Sequence, residues 1–315
     1  MYRKIMSFLE AWKDSEHRKP LILQGARQVG KTYSILEFGR TCYENVAYFN
    51  FETNPKLNET FEENISPDYL IPILSHIAGQ TIVKEKTLIV FDEVQLCERA
   101  LTSLKYFCED APDYHIIVAG SLLGVAVNRA KFSFPVGKVD MKTLYPMDME
   151  EFMIACGESA LVEQIKKCFA EDKPLPSALH DAAMQLYRQY LIVGGMPECV
   201  MQFVETKDYI LVRHTQDTIL ASYLNDMSKY NNLNEIKKTR LAYDNITVQL
   251  SKKNTRFQYK LIKKGGRASE FENAIEWLCL SGIVSQVYKV EQVKKPLENY
   301  RNIDAFKIYE SDLGL

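Results

Sequence analysis

Four residues in the stretch LILQGARQVGKTYSIL, residues 21–36, have types and spacing that can do chemistry. Gly25, Gly30, Lys31 and Thr32 fit the pattern G-x-x-x-x-G-K-[ST]. The glycines let the backbone curl until successive N–H groups point inward at an anion. A helix beginning at the end of the loop turns its positive dipole end toward the same charge. Lys31 has the reach to touch the outer phosphates of a nucleoside triphosphate, and the Thr32 hydroxyl can ligate Mg²⁺. The alternative is a plain strand-to-helix turn. On the phosphate reading, Gly25, Ala26, Arg27, Gln28, Val29, Gly30, Lys31 and Thr32 line the bound nucleotide.

Such a loop needs a second element, because a strand leaving the core must deliver an acid to the metal. TLIVFDEVQ, residues 87–95, does this, with apolar residues leading to Asp92 and Glu93. Asp92 would hold Mg²⁺ directly or through water. Glu93 is placed to orient and deprotonate an attacking water. The second acid favours hydrolysis over binding alone, and no N-K-x-D motif is present, which favours ATP over GTP. Ser121, in IIVAGSLLG, ends an apolar run; it either senses the γ-phosphate or caps a helix. Charge developing on the transferred phosphoryl calls for a cation beyond Lys31. Arg27 either faces the phosphates or braces the loop. Arg129 and Lys138 either reach a neighbouring subunit's nucleotide or are solvated.

The elements that must position these residues follow from the pattern around them. Short apolar runs at PLILQ, NVAYFNFE, TLIVFDE, YHIIVAG and GKVDMKTLYPM read as strands. Helical spacing separates them, notably in TYSILEFGR, from Pro67 to Ala78, and in ERALTSLKYFCED. Buried strands alternating with helices predict an α/β fold, a P-loop doubly wound parallel sheet, over residues 1–155 with an N-terminal helix. Residues 156–225 read as a helical extension, broken by polar AEDKPLPSA and by GGMP. In residues 226–315, helices precede two strand-like runs, IVSQVYKV and AFKIYESD, an order that suggests a winged-helix domain.

Composition bounds the function classes. The chain has 315 residues, 46% hydrophobic and 25% charged, with a net charge of −2, so any nucleic-acid footprint must be local. Its seven cysteines form no CxxC pair, which fits a reducing, cytoplasmic setting. The opening residues are amphipathic, and no run reaches the length of a membrane span. The five histidines show no ligand spacing. One local basic stretch stands out at residues 251–268, with Lys252, Lys253, Arg256, Lys260, Lys263, Lys264 and Arg267 and no acid. Phe257 and Tyr259 are interleaved with these cations. The stretch either lies along a DNA backbone or is a solvated face.

GARQVGKT, FDEVQ, AGS, TLYPMDMEEF, YLIVGGMPE and FKIYESDLGL, in this order along essentially the whole chain, resemble one group of bacterial and archaeal AAA-type ATPases. In that family a P-loop ATPase domain is followed by a winged helix and a nuclease-like domain of unknown function. The resemblance implies ATP binding at residues 25–32, metal binding by Asp92 and catalysis by Glu93. It also implies movement of the winged helix coupled to hydrolysis, and subunit contacts at the nucleotide in a homo-oligomer. Two departures matter. Lys138 stands where the family usually carries the arginine of a G-R pair, and lysine lacks the planar fork. Family members also continue past DLGL, so either the chain is a shortened form or this member lacks the further domain. The reading from another class is a nucleotide-gated module for DNA or protein that hydrolyses little or nothing.

Overall fold

The five stretches of the first half that read as strands form one parallel sheet. Its strands are β1 Leu21–Gln24, β2 Asn45–Asn50, β3 Thr87–Asp92, β4 His115–Ala119 and β5 Asp140–Thr143, in the order β2-β3-β4-β1-β5. β3 and β4 are buried at every position, and β1 at every position except Gln24. Strands covered on both faces need such unbroken apolar runs. The strand order matters most for chemistry. Parallel strands end at one edge, and β4 lies between β1 and β3, so the loop after β1 and the acids after β3 emerge one strand apart.

The computed structural model describes residues 1–120, 134–230, 233–253 and 255–315. They form two compact units, Met1–Tyr145 and Pro146–Leu315. In the first, the helices are α1 Ile5–Lys13, α2 Lys31–Cys42, α3 Lys56–Glu63, α4 Pro67–Ala78 and α5 Glu98–Asp110. α4 and α5 occupy the stretches whose spacing predicts them. α3 has no such signal, because it buries only Leu57 and Phe61. Phe61 nevertheless completes an edge-to-face group with Phe51 and Phe91, which packs the β2–β3 side of the sheet. α1 buries Ile5, Leu9 and Trp12, and its Trp12 indole N–H donates to Lys19 O at 2.9 Å. His115 is buried and accounted for by packing: its Nδ1 is 2.7 Å from Tyr43 Oη, and burial pulls its pKa down to about 4.

The second unit begins with helix α6 Met149–Ala155, started by a reciprocal pair. Asp148 accepts from the Glu151 N–H, and the Glu151 carboxylate accepts from the Asp148 N–H. Helices α7 Ser159–Ala170, α8 Ser177–Val193, α9 Pro197–Thr206 and α10 Tyr209–Tyr230 follow. Then come α11 Leu233–Asp244, α12 Ile246–Leu250, α13 Tyr259–Ile262 and α14 Ala268–Leu280. The unit ends in an antiparallel pair, β6 Val284–Val290 with β7 Arg301–Glu310. No helix among the described residues is long and apolar enough to cross a membrane.

Two stretches of the second unit that are far apart in sequence meet at one buried carboxylate, and a third bonds to them. Asp312, beyond β7, accepts from the Gly195 N–H at 2.6 Å and the Gly314 N–H at 2.8 Å, and also from the backbone of Met196 and Leu315. Gly195 and Met196 lie where α9 starts, so an anion meets donors that a helix N-terminus leaves over. Gly195 O in turn accepts from the Met147 N–H at 2.6 Å, and Tyr190 Oη donates to Met147 O at 2.8 Å. A Cβ on Gly195 would lie 2.0 Å from Met147 O, and one on Gly194 (φ +75) 2.1 Å from Asp312 Oδ1. GGMP is thus a turn whose glycines are required by close backbone approach.

Asp312→Ala removes the acceptor of several buried N–H groups. It is expected to destabilise this unit by about 3 kcal/mol or more, read by chemical denaturation and by faster exchange of the Gly195 and Met196 amides. Glu310, two residues away, is pushed up to about 7 by burial, with Asp312 adding to the effect. A carboxyl whose folded pKa lies above its unfolded value contributes stability fully at low pH and loses it as pH rises through this window. Glu310→Gln cannot ionise. Its melting-temperature advantage over the native chain should therefore grow between about pH 4.5 and pH 7 and then level off.

Candidate functional site

The loop at residues 25–30 is held by its neighbours before any ligand is considered. Gly25 has φ +148, and a Cβ there would meet Leu144 O at 2.2 Å. The Leu144 N–H donates to Gln24 O at 2.8 Å, so the end of the first unit runs directly behind the loop. Ala26 and Val29 are buried and anchor the loop to the core, leaving only their backbone to a ligand. Gln28 and Gly30 have φ of 66 and 89. Gly30 is the N-cap of α2, and no side chain caps that helix start. Lys31 folds back over the loop, donating to Gly25 O at 2.9 Å and Ala26 O at 2.8 Å. Burial pulls its pKa down to about 8, against the opposing pull of Glu93 and Asp92; Arg27 is close enough to add to the lowering.

The acidic side converges on the same place. Asp92, 5% exposed at the end of β3, accepts at one oxygen, Oδ2, from Thr32 Oγ1 and Tyr48 Oη, both at 2.8 Å. Its Oδ1 accepts from the Glu93 N–H at 3.0 Å. Tyr48 is pushed up to about 12, by burial first and further by Asp92, and Asn50 Nδ2 donates to its oxygen at 3.2 Å. Glu93 adopts a left-handed backbone, φ 52 and ψ 38, unusual for a residue with a side chain. Strain of this kind clusters where geometry serves chemistry. Gln95 Nε2 donates to the Glu93 carboxylate, fixing its direction.

The residues present fit Mg²⁺. A hydroxyl and a carboxylate oxygen, Thr32 Oγ1 and Asp92 Oδ2, lie together, and a hard cation taking one or two protein oxygens beside phosphates suits that set. Among the described residues, no three His, Cys, Asp or Glu side chains group into a metal cage.

A family model described as an AAA domain matches residues 17–153, and one described as a domain of unknown function matches residues 184–315. A Walker-type ATPase of Pyrococcus abyssi is similar in structure, with a TM-score of 0.57 at 13% identity over 98% of this chain and 93% of that one. Residues 17–153, which carry the phosphate-type loop, the acids after β3 and the parallel sheet, are the part of the chain similar to AAA domains. The ORC2 protein of Aeropyrum pernix matches with a TM-score of 0.46 at 12% identity over 98% and 90% of the two chains. RuvB of Thermotoga maritima matches with a TM-score of 0.39 at 15% identity over 90% and 87%. No curated protein sequence matches the chain.

Within residues 17–153, the loop residues, Lys31, Thr32, Asp92 and Glu93 occupy one edge of the sheet. Ser121 and Arg129 lie outside the described residues. Lys138 pairs with Glu109 at 2.8 Å, just before β5, whose Asp140 aligns with Leu21 at the start of β1. It therefore sits at the sheet edge opposite the loop of its own chain. The basic stretch belongs to the second unit. There Arg256 donates to Asp304 O at 2.6 Å and Lys263 to Glu270 at 3.3 Å, while Lys252, Lys253, Lys260, Lys264 and Arg267 are exposed. Phe257 is buried and stacks on Phe306, with the half-buried Tyr259 edge-on to both, so these rings are engaged with one another.

Arg3, Tyr48, Asn50 and Gln95 border the candidate site through hydrogen bonds, and motif reading does not find them. Tyr48 and Asn50 had a faint signal: on a strand they share one face, and Asn50 pairs in register with Asp92. Arg3 had none. Gly25→Ala strains the backbone at a positive φ and drives a methyl into Leu144 O. Thermal melting should show a loss of about 1–3 kcal/mol, and binding of a fluorescent ATP analogue should fall with it.

Proposed function

We propose that the chain binds ATP with Mg²⁺ at residues 25–32 and hydrolyses its γ-phosphate, moving a winged-helix region formed by the last helices and the β6–β7 hairpin. The observation that carries this reading is the 2.8 Å bond between Thr32 and Asp92, with Lys31 and Glu93 adjoining it. Thr32 and Asp92 would hold the metal. Mg²⁺, when bound, neutralises charge on the phosphate oxygens. Lys31 gives up the Gly25 and Ala26 carbonyls to meet the outer phosphates, keeping its buried charge paired. Loop N–H groups hold the remaining oxygens. Glu93 takes the proton of the attacking water, aimed by Gln95.

A second reading, a nucleotide-gated DNA- or protein-binding module with little turnover, draws support from the exposed cations Lys252, Lys253, Lys260, Lys264 and Arg267. Homo-oligomerisation at the nucleotide remains part of the ATPase proposal through the family resemblance.

Phosphate release, measured with ATP and Mg²⁺, tests both. Native chain should turn over, Lys31→Ala should lose ATP binding, and Glu93→Gln should bind ATP but lose at least about a hundredfold in rate. Native turnover in Glu93→Gln would remove Glu93 as the base. ATP binding without turnover, with or without DNA, would leave the gated module as the function.

A further inference from the structure

Arg3 is a buried cation, 4% exposed, placed just before α1 and outside every motif of the chain. Its Nη1 donates to Val29 O at 2.9 Å and its Nη2 to Tyr145 O at 2.7 Å. Val29 belongs to the loop. Tyr145 follows Leu144, whose N–H bonds Gln24 and whose oxygen backs Gly25. One planar guanidinium thus clamps the end of the loop to the segment that supports its beginning, a spacing that a rigid fork of donors can hold.

The consequence lies in one peptide plane. A trans peptide points its C=O and N–H in opposite directions. With the Val29 oxygen drawn onto Arg3, the Gly30 N–H must point away from Arg3. Gly30, at φ 89 and ψ 27, is a residue for which either orientation of that peptide costs little. An external hold is therefore what selects one. At the other end of the loop, Lys31 Nζ holds the Gly25 and Ala26 oxygens.

We propose that Arg3 is a positioning residue of the phosphate site, fixing the Val29–Gly30 peptide so that the Gly30 N–H faces the bound phosphates. The inference rests on the ATP-binding reading and adds a residue to it. Arg3 touches neither substrate nor metal; it acts through the loop backbone.

The test combines ATP affinity without Mg²⁺ with glycine-selective ¹⁵N amide spectra, on the native chain, Arg3→Met and Arg3→Lys. In the native chain ATP should shift the Gly30 amide strongly. Arg3→Met should lose about tenfold or more in affinity and most of the Gly30 response. Arg3→Lys, able to reach one carbonyl, should recover part of both. An Arg3→Met chain that melts like the native one, binds ATP as tightly and shifts Gly30 equally would overturn the proposal. So would a native chain that binds ATP with the Gly30 amide unmoved. If Arg3→Met fails to fold, Arg3→Lys and the native Gly30 response decide. A native chain that binds no ATP rejects the ATP reading; the Gly30 response to inorganic pyrophosphate then decides for Arg3, and no response overturns it.

Discussion

The hydrogen bond from Thr32 to Asp92 is the contact on which the site depends, because it joins elements that the sheet keeps one strand apart. Thr32 opens α2 after the loop, Asp92 closes β3, and β4 lies between their strands. A parallel sheet with this order brings a loop that follows β1 and acids that follow β3 to one edge. The unbroken burial of β3 and β4 holds that edge in register. Tyr48, donating to the same Asp92 oxygen from β2, extends the convergence to a third strand. The charges in this small volume balance locally: Lys31 is buried, yet its ammonium is bonded to two carbonyls and feels Glu93 and Asp92.

The second unit solves a related problem with the opposite sign. A buried carboxylate, Asp312, is held by backbone N–H groups at a helix start and at the chain's last residues. Burial raises its pKa, and those donors pull it back. In both units a buried charge is matched by backbone dipoles, and glycines stand where two backbones must pass closely, Gly25 in one and Gly195 in the other.

Much of this is legible in the sequence, for identifiable reasons. β1, β3 and β4 are buried almost throughout and leave continuous apolar runs, whereas β2 and β5 are partly exposed and are read from their place between helical stretches. The loop and its acids are readable because phosphate and metal chemistry demand fixed residue types at fixed spacing. α3 is not readable, since two buried residues make no period. GGMP reads as a turn, but its close approach to Met147 and its partner Asp312, 117 residues beyond Gly195, are set by tertiary packing alone. Phe257 and Tyr259, interleaved with cations, look available to a nucleic acid, whereas both pack on Phe306, Phe257 buried and Tyr259 half-buried. Arg3 is invisible for the same reason as Asp312: its partners are backbone groups far along the chain, which no local pattern encodes.

The central claim is that Asp92 and the loop form one site for a metal-bound nucleotide. Calorimetric titration of ATP into the native chain and Asp92→Asn, each with Mg²⁺ and with chelator, tests it most directly. Both chains should bind ATP in chelator, Mg²⁺ should tighten binding to the native chain, and Asp92→Asn should lose this increment alone. An equal Mg²⁺ increment in both chains, or no ATP binding by the native chain, would contradict it.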